Sequence, residues 1–129
     1  MKAKRALRIV AISLAVCVVL GSTALGAILW RIHRSVQGCC ALAQQSHPKP
    51  GDDATALISY MNSGQHTLRE RNLAVWTLGR LGNRKALSAL EAVYTGELCE
   101  HDTFLCQYEL EKAIKLCGGT PDPPRKTQH

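Results

Sequence analysis

The sequence predicts an all-α protein in which one N-terminal transmembrane helix precedes a short α-solenoid of two helical hairpins. Three observations support this prediction. Residues 9–30 carry no charged side chain, four short segments between Asp52 and Gly118 place apolar residues at helical spacing, and those segments form two pairs of similar pattern. A long charge-free run predicts a membrane-spanning helix, and apolar residues three to four positions apart predict amphipathic helices.

The predicted transmembrane segment begins with Ile9 and ends with Trp30. Its 22 residues exceed the roughly 20 that a helix needs to cross a hydrocarbon core of about 30 Å. Residues 1–8 form a basic tail with four Lys or Arg side chains, whereas only Arg31 and Arg34 closely follow the segment. Because positive flanks are retained in the cytoplasm, this difference predicts a cytoplasmic N-terminus and a C-terminal domain in the periplasm or outside the cell. The pattern is that of a single-pass protein of a bacterial inner membrane.

A cleaved signal peptide is the alternative interpretation of the same segment. Ala24 and Gly26 flank Leu25 with small residues at the spacing of a cleavage site. The apolar run nevertheless continues to Trp30, and arginines follow at once, which favours an uncleaved signal anchor. Both interpretations place the rest of the chain outside the cytoplasm.

The formal net charge of +6 comes from the two ends of the chain. Residues 52–118 contain seven Lys or Arg against nine Asp or Glu, which leaves that region at −2. The positive charge therefore belongs to the membrane flanks and the C-terminal tail. A folded region of this charge excludes an obvious phosphate-binding face, and no nucleic-acid partner is expected.

The region after the membrane segment begins with a predicted juxtamembrane linker, residues 31–51, in which Gly, Pro, Gln and Ser occur without a sustained period. Asp52 or Asp53 can cap a first helix, which ends near Gly64. The apolar face of this helix consists of Ala54, Leu57, Ile58 and Met61.

The second helix has the strongest start signal in the chain. Thr67 and Glu70 have the spacing of a capping box, and the helix that they open runs to Leu81, with Gly82 as its C-cap. Its predicted apolar side consists of Leu68, Ala74, Val75, Leu78 and Leu81.

Two further helices make the second pair. Asn83 can cap the third helix, which ends near Gly96, and Asp102 can cap the fourth, which ends at Gly118. The third helix has an apolar stripe of Ala86, Ala89, Leu90 and Val93, and the fourth has one of Cys106, Leu110, Ala113 and Cys117. Residues 119–129 have the composition of a disordered tail.

The two pairs align as an internal repeat. Leu57 aligns with Leu90 at an offset of 33 residues, and Leu78 aligns with Ile114 at an offset of 36. The stretch RERNLAVWTLGRLGNRKALSAL, residues 69–90, resembles the HEAT-like repeats first described in phycobilisome lyases. The resemblance implies that residues 52–118 stack as two such hairpins. The resemblance does not imply bilin chemistry, because no catalytic residues of the lyases match positions in this sequence.

Gly79 interrupts an otherwise strong helix. A glycine inside a helix costs about 1 kcal/mol relative to alanine, so its presence indicates a compensating contact. We expect the fourth helix to cross at Gly79 and its Leu110 and Ala113 to interlock with Leu78.

Five cysteines follow the membrane segment, and an exported domain can oxidise them. Cys99 lies in a loop seven residues before Cys106 and can fold back onto it, which makes this pair the first predicted disulfide. A second bridge could join Cys117 to Cys39 or Cys40 through the linker. The remaining thiol could be free or could link a homodimer.

Metal binding is an alternative role for this loop, because Cys99, His101 and Cys106 are all of residue types that zinc accepts as ligands. No paired CxxC motif and no fourth ligand accompany them. We therefore predict no metal site and no cofactor, and the histidines outside this loop, at positions 33, 47, 66 and 129, are interpreted as solvated.

No phosphate-binding glycine loop, nucleophile elbow or directed carboxylate pair is present, so no catalytic residue is predicted. The sequence predicts a membrane-anchored, non-catalytic module that binds an unknown protein partner. Arg69, Arg71 and Trp76 of the second helix are its expected docking surface. The alternative is a small redox or metal-handling protein that uses Cys99, His101 and Cys106.

Overall fold

A computed structural model describes residues 2–99 and 103–121, with side chains from residue 7 onward. All regular structure in these ranges is helical, which confirms the all-α class. The helices are α1 Lys2–Ser46, α2 Asp53–Asn62, α3 Leu68–Leu81, α4 Leu87–Val93 and α5 Gln107–Leu116, with a 3₁₀ turn at Arg84–Ala86. The chain divides into two compact units, Met1–Ser35 and Val36–His129.

The first unit consists of the N-terminal part of α1. This helix is long and apolar enough to cross a membrane: its most apolar 18-residue window has a mean hydropathy of 2.3 and is not buried anywhere. Large side chains such as Leu14 and Trp30 are exposed along it. Exposed apolar residues on every side of a helix are typical of a lipid-facing surface. The cytoplasmic N-terminus and the exported domain remain predictions.

The second unit begins at Val36, earlier than the predicted domain boundary at Asp52. The segment that we interpreted as a linker continues as helix to Ser46, and Val36, Cys39, Cys40 and Ala43 are buried in the core. Their spacing of three to four residues places them on one face of the helix. The glycine and polar residues between them obscured this short stripe.

The first hairpin, defined as α2 and α3, has the predicted caps. Asp52 accepts a hydrogen bond from the Thr55 amide at 3.1 Å, which satisfies a free N–H group at the start of α2. Thr67 and Glu70 form both halves of the capping box of α3. Gly82 ends α3 with a φ of 59°, a left-handed conformation that favours glycine.

Gly79 lies where α3 meets α5, as predicted. A Cβ atom added at Gly79 would stand 2.9 Å from the Cα atom and 3.1 Å from the Cβ atom of Ala113. Leu78 on α3 and Leu110 on α5 are fully buried. The absent side chain therefore allows the two helix axes to approach closely.

The predicted apolar face of α3 is wrong at one residue. Leu81 is 39% exposed, whereas Thr77 is fully buried. The Thr77 hydroxyl donates a hydrogen bond to the Leu73 carbonyl oxygen at 2.8 Å, so that its polar atom is satisfied within the helix. A threonine with this internal bond behaves as a small apolar residue.

The second hairpin, defined as the 3₁₀ turn, α4 and α5, differs from the prediction at both starts. Asn83 is a cap, but the first three residues after it form the 3₁₀ turn before α4 begins. The predicted cap Asp102 lies outside the described residues, and α5 begins at Gln107 with Cys106 as its N-cap. The Cys106 amide donates instead to the Asn72 side chain on α3 at 2.8 Å. This tertiary hydrogen bond satisfies an amide that the helix itself leaves unpaired.

Within the second unit, α3 contacts α2 and α5, the 3₁₀ turn contacts α2, and α4 contacts α5. A hydrogen-bonded ion pair between Lys85 and Asp52, with a distance of 3.1 Å, joins the starts of the two hairpins. The predicted stripe of α5 is confirmed, since Cys106, Leu110, Ala113 and Cys117 are all buried. The core consists of buried side chains from the end of α1, from α2, α3 and α5, and of Leu90 from α4.

Candidate functional site

Cys99 and Cys106 form the candidate site with the most defined chemistry. Their Sγ atoms lie 3.2 Å apart as free thiols. Cys99 belongs to the loop after α4 and is half-buried, while Cys106 is buried at the start of α5. The structure therefore brings together the two residues of the predicted first disulfide, and the bond itself remains a prediction.

The surroundings of the two thiols separate their pKa values. The Cys99 sulfur accepts a hydrogen bond from the Tyr108 amide at 3.3 Å. This bond, followed by one from the Cys106 thiol, lowers the pKa of Cys99. Burial raises the pKa of Cys106. Cys99 is thus the thiol that ionises first, at the positive end of the α5 dipole.

Two side chains that sequence reasoning missed hold this site in place. The Asn72 side chain on α3 binds the Cys106 amide, as described above. The Gln107 side-chain oxygen accepts hydrogen bonds from the Thr95 amide at 2.8 Å and the Gly96 amide at 3.3 Å. These bonds tie the loop that carries Cys99 to the start of α5. No sequence spacing marks such long-range amide contacts.

The metal alternative lacks a ligand set in the part of the chain that the structure describes. His101 and Asp102 lie outside that part. No group of three or more His, Cys, Asp or Glu residues that could hold a metal ion occurs among the described residues. The two thiols alone do not make the four-ligand site that structural zinc requires.

Cys39, Cys40 and Cys117 are buried free thiols in the structure. Burial raises the pKa of all three, and that of Cys40 reaches about 11 because the Asp53 carboxylate also opposes ionisation. The Cys117 thiol donates to the Leu78 carbonyl oxygen at 3.5 Å, and Cys39 hydrogen-bonds Thr77. The second predicted disulfide remains a prediction.

The three predicted docking residues on α3 do not share one surface. Arg69 is exposed, and the Arg71 side chain donates a hydrogen bond to the Met61 carbonyl oxygen at 2.6 Å. Trp76 is half-buried beside the Arg80 guanidinium, 5.4 Å from the centre of its ring system. Arg71 and Trp76 line two different grooves.

Each groove has a volume of about 360 Å³. The first, which we name the loop groove, is lined by Leu68, Arg71, Ala92, Val93, Thr95, Glu97, Leu98, Thr103, Phe104, Leu105 and Gln107. The second, the helix groove, is lined by Trp76, Gly79, Arg80, Glu109, Lys112, Ala113, Lys115 and Leu116.

The loop groove carries two large apolar side chains that remain in solvent. Leu98 is 94% exposed and Phe104 is 64% exposed there. The helix groove is bordered by charged side chains, of which Lys112 pairs with Glu109 at 3.8 Å. Large apolar side chains that remain in solvent beside a groove are typical of a protein-binding surface.

Comparison with protein-family models, with curated proteins and with solved structures gives no match in any of the three.

Proposed function

We propose that this protein is a membrane-anchored, non-catalytic module that binds a partner protein on the exported side of the membrane. The proposal joins an apolar N-terminal helix that can serve as the anchor to a small helical domain with an exposed apolar groove. The absence of charge from residues 9–30 and the excess of basic residues before them favour this orientation.

The helical domain is proposed to be a short α-solenoid of two HEAT-like hairpins. Contacts of α3 with α5, and of α2 with the start of the second hairpin, support this arrangement because successive repeats contact each other helix by helix. The crossing at Gly79 supports it further. Two repeats bury little core on their own, and the end of α1 adds to that core.

The exposure of Phe104 is the observation that carries the binding proposal. Its ring stands 64% exposed on a groove that also includes Leu98 and Leu68. An apolar segment of a partner protein would remove this surface from water, at roughly 25 cal/mol for each Å² buried. Arg71, held by its bond to Met61, would provide a fixed positive charge beside that segment.

Affinity capture from detergent-solubilised membranes tests this proposal with the full-length chain as bait. We expect Phe104→Ser to lose the partner that the wild-type protein retains. Leu73→Ser is the matched control, since Leu73 is an exposed apolar residue of α3 that lines neither groove. Equal capture by the wild type and Phe104→Ser would reject the loop groove as the binding surface.

A thiol–disulfide exchange protein is the second candidate function, and the 3.2 Å contact between the two thiols favours it. The Cys99 thiolate would attack a disulfide of a substrate protein, forming a mixed disulfide and releasing one substrate thiolate. Cys106 would then lose its proton and attack the Cys99 sulfur, which releases the second substrate thiolate. The substrate gains two electrons, and the Cys99–Cys106 disulfide is formed.

The lowered pKa of Cys99 predicts a specific reactivity. Because the thiolate is the nucleophile, alkylation by iodoacetamide should reach half its maximal rate below the pH of about 8.5 that is typical of a free cysteine. Cys106→Ala should shift this midpoint only partly upward, because the Tyr108 amide remains. Mass spectrometry of timed samples measures the rate at each cysteine. A Cys99 midpoint at or above the free-cysteine value would contradict the prediction.

Thiol counting separates the two candidates. In a binding module that a permanent disulfide cross-links, Cys99 and Cys106 should be oxidised after isolation, and their disulfide should resist mild reductant. An exchange protein should show a pair that equilibrates with glutathione buffers at a measurable midpoint. Metal analysis of the same samples tests the zinc alternative at Cys99, His101 and Cys106.

A further inference from the structure

Two pairs of an aromatic ring and a cation flank the helix groove. On α3 the Arg80 guanidinium lies over the Trp76 ring at 5.4 Å, and on α5 the Lys112 ammonium lies over the Tyr108 ring at 4.2 Å. In each pair the cation follows the aromatic residue by four positions, which places the two side chains on one face of their helix. Leu116, one turn after Lys112, adds an apolar side chain that is 56% exposed. We name these five residues the aromatic–cation face.

The same arrangement occurs at the end of the charge-free segment. Arg34 lies over the Trp30 ring at 5.3 Å, again four positions apart. Trp30 ends the segment that we interpret as membrane-spanning, where the boundary between hydrocarbon and headgroups is expected. Tryptophan, tyrosine and basic side chains are suited to this boundary, because their apolar parts enter the lipid while their polar ends remain in water. The aromatic–cation face thus carries the residue types that fit a membrane surface.

The charge of the helix groove favours an anionic occupant. Its charged lining residues are Arg80, Lys112, Lys115 and Glu109. Three cations against one carboxylate leave an excess of two positive charges, whereas the predicted repeat region as a whole has a net charge of −2. Among the described residues Arg80 forms no ion pair, while Lys112 pairs with Glu109 and Lys115 with Glu111. Because these two pairs are exposed, they are weak, and the lysines can bind lipid phosphates instead.

We propose that the aromatic–cation face docks onto the headgroup region of an anionic lipid bilayer. The rings of Trp76 and Tyr108 enter the interface with Leu116, and the cations bind lipid phosphates. The proposal rests on the membrane anchor of the proposed function and not on the loop groove. An anchored chain keeps its folded domain at a high local concentration beside a bilayer, so a weak affinity for the surface is sufficient.

Trp76 provides the test, because the chain contains two tryptophans and Trp30→Phe leaves Trp76 as the only one. The full-length Trp30→Phe chain is reconstituted in vesicles of equal parts phosphatidylglycerol and phosphatidylcholine, whose acyl chains are brominated near the headgroup. Bromine quenches indole fluorescence at contact distance. We expect strong quenching of Trp76, relative to unbrominated vesicles, and weaker quenching at high salt or in brominated phosphatidylcholine alone.

Charge variants in the same Trp30→Phe background identify the face. Arg80→Gln and Lys112→Gln should each lower the docking equilibrium constant, obtained from the quenching, about fivefold. Arg69→Gln is the matched control, since Arg69 is exposed on α3 and lines neither groove. It should leave the quenching unchanged. Circular dichroism verifies that each variant is folded.

Three results would overturn the proposal: no quenching in the anionic vesicles, equal quenching in phosphatidylcholine alone, or unchanged quenching in an Arg80→Gln/Lys112→Gln double variant. If poly-glutamate shields Trp76 from acrylamide and the anionic vesicles do not, the face binds an acidic protein segment instead. Flotation with vesicles of phosphatidylcholine alone tests the anchor separately. Failure to float there would reject the anchor, whereas absent quenching in protein that floats would reject the docking face.

Discussion

Gly79→Leu is expected to lower the free energy of unfolding by about 3 kcal/mol, the upper end of the usual range for overpacking. The reason is the absence of space between α3 and α5. Even the first carbon of a side chain at this position would stand 2.9 Å from the Cα atom of Ala113, a backbone atom that cannot rotate away. The longer leucine forces the two helices apart and exposes the core between them. Urea unfolding of the full-length chain, followed by circular dichroism, measures the loss.

Alanine substitutions supply the matched comparison for this prediction. Gly79→Ala should also destabilise the protein, although alanine is the better helix former. Gly38→Ala replaces another helical glycine, at which an added Cβ atom would meet nothing within 4 Å apart from its own turn of helix, and should stabilise the protein by about 0.5–1 kcal/mol. If both alanine variants were stabilising, the close helix contact at Gly79 would be refuted.

Leu78→Ala is the second substitution with a large expected effect. Leu78 is fully buried on α3, the helix that contacts both α2 and α5. Removing most of its side chain leaves a cavity that rigid neighbouring helices fill only in part. We therefore expect a loss of about 3–4 kcal/mol in the free energy of unfolding, measured by the same urea titration.

Leu73→Ala controls for the chemical change itself. Leu73 lies on the same helix but is 42% exposed, so the same truncation there should cost only about 0.5 kcal/mol. Losses of similar size at Leu73 and Leu78 would show that α3 does not form the centre of the core.

Local signals in the sequence were enough to predict most helix ends. Asp52, Thr67 and Gly82 act through hydrogen bonds or backbone angles within a few residues of themselves, and all three are caps in the structure. The long apolar N-terminal helix could be predicted equally well, because a long charge-free run needs no tertiary information. The Sγ atoms of Cys99 and Cys106, which the sequence paired in a disulfide, lie 3.2 Å apart, and the bond stays a prediction.

Other features depend on contacts between residues that are far apart in the chain. At the start of α5, the Cys106 amide donates to the side chain of Asn72, which lies 34 positions earlier in the chain. The asymmetry between the two thiols follows from the orientation of the Tyr108 amide towards Cys99. Neither bond has a sequence pattern that would predict it.

The sequence by itself determined the helical class, the long apolar N-terminal segment, the main caps and the glycine at the helix crossing. Only the tertiary structure decided that the end of α1 belongs to the core, that Arg71 and Trp76 line separate grooves, and that His47 meets His66. The physical reason is the distance along the chain over which each kind of interaction acts. Caps and helical periodicity act over three or four residues, whereas a groove or a ring cluster forms only when packed helices bring distant segments together.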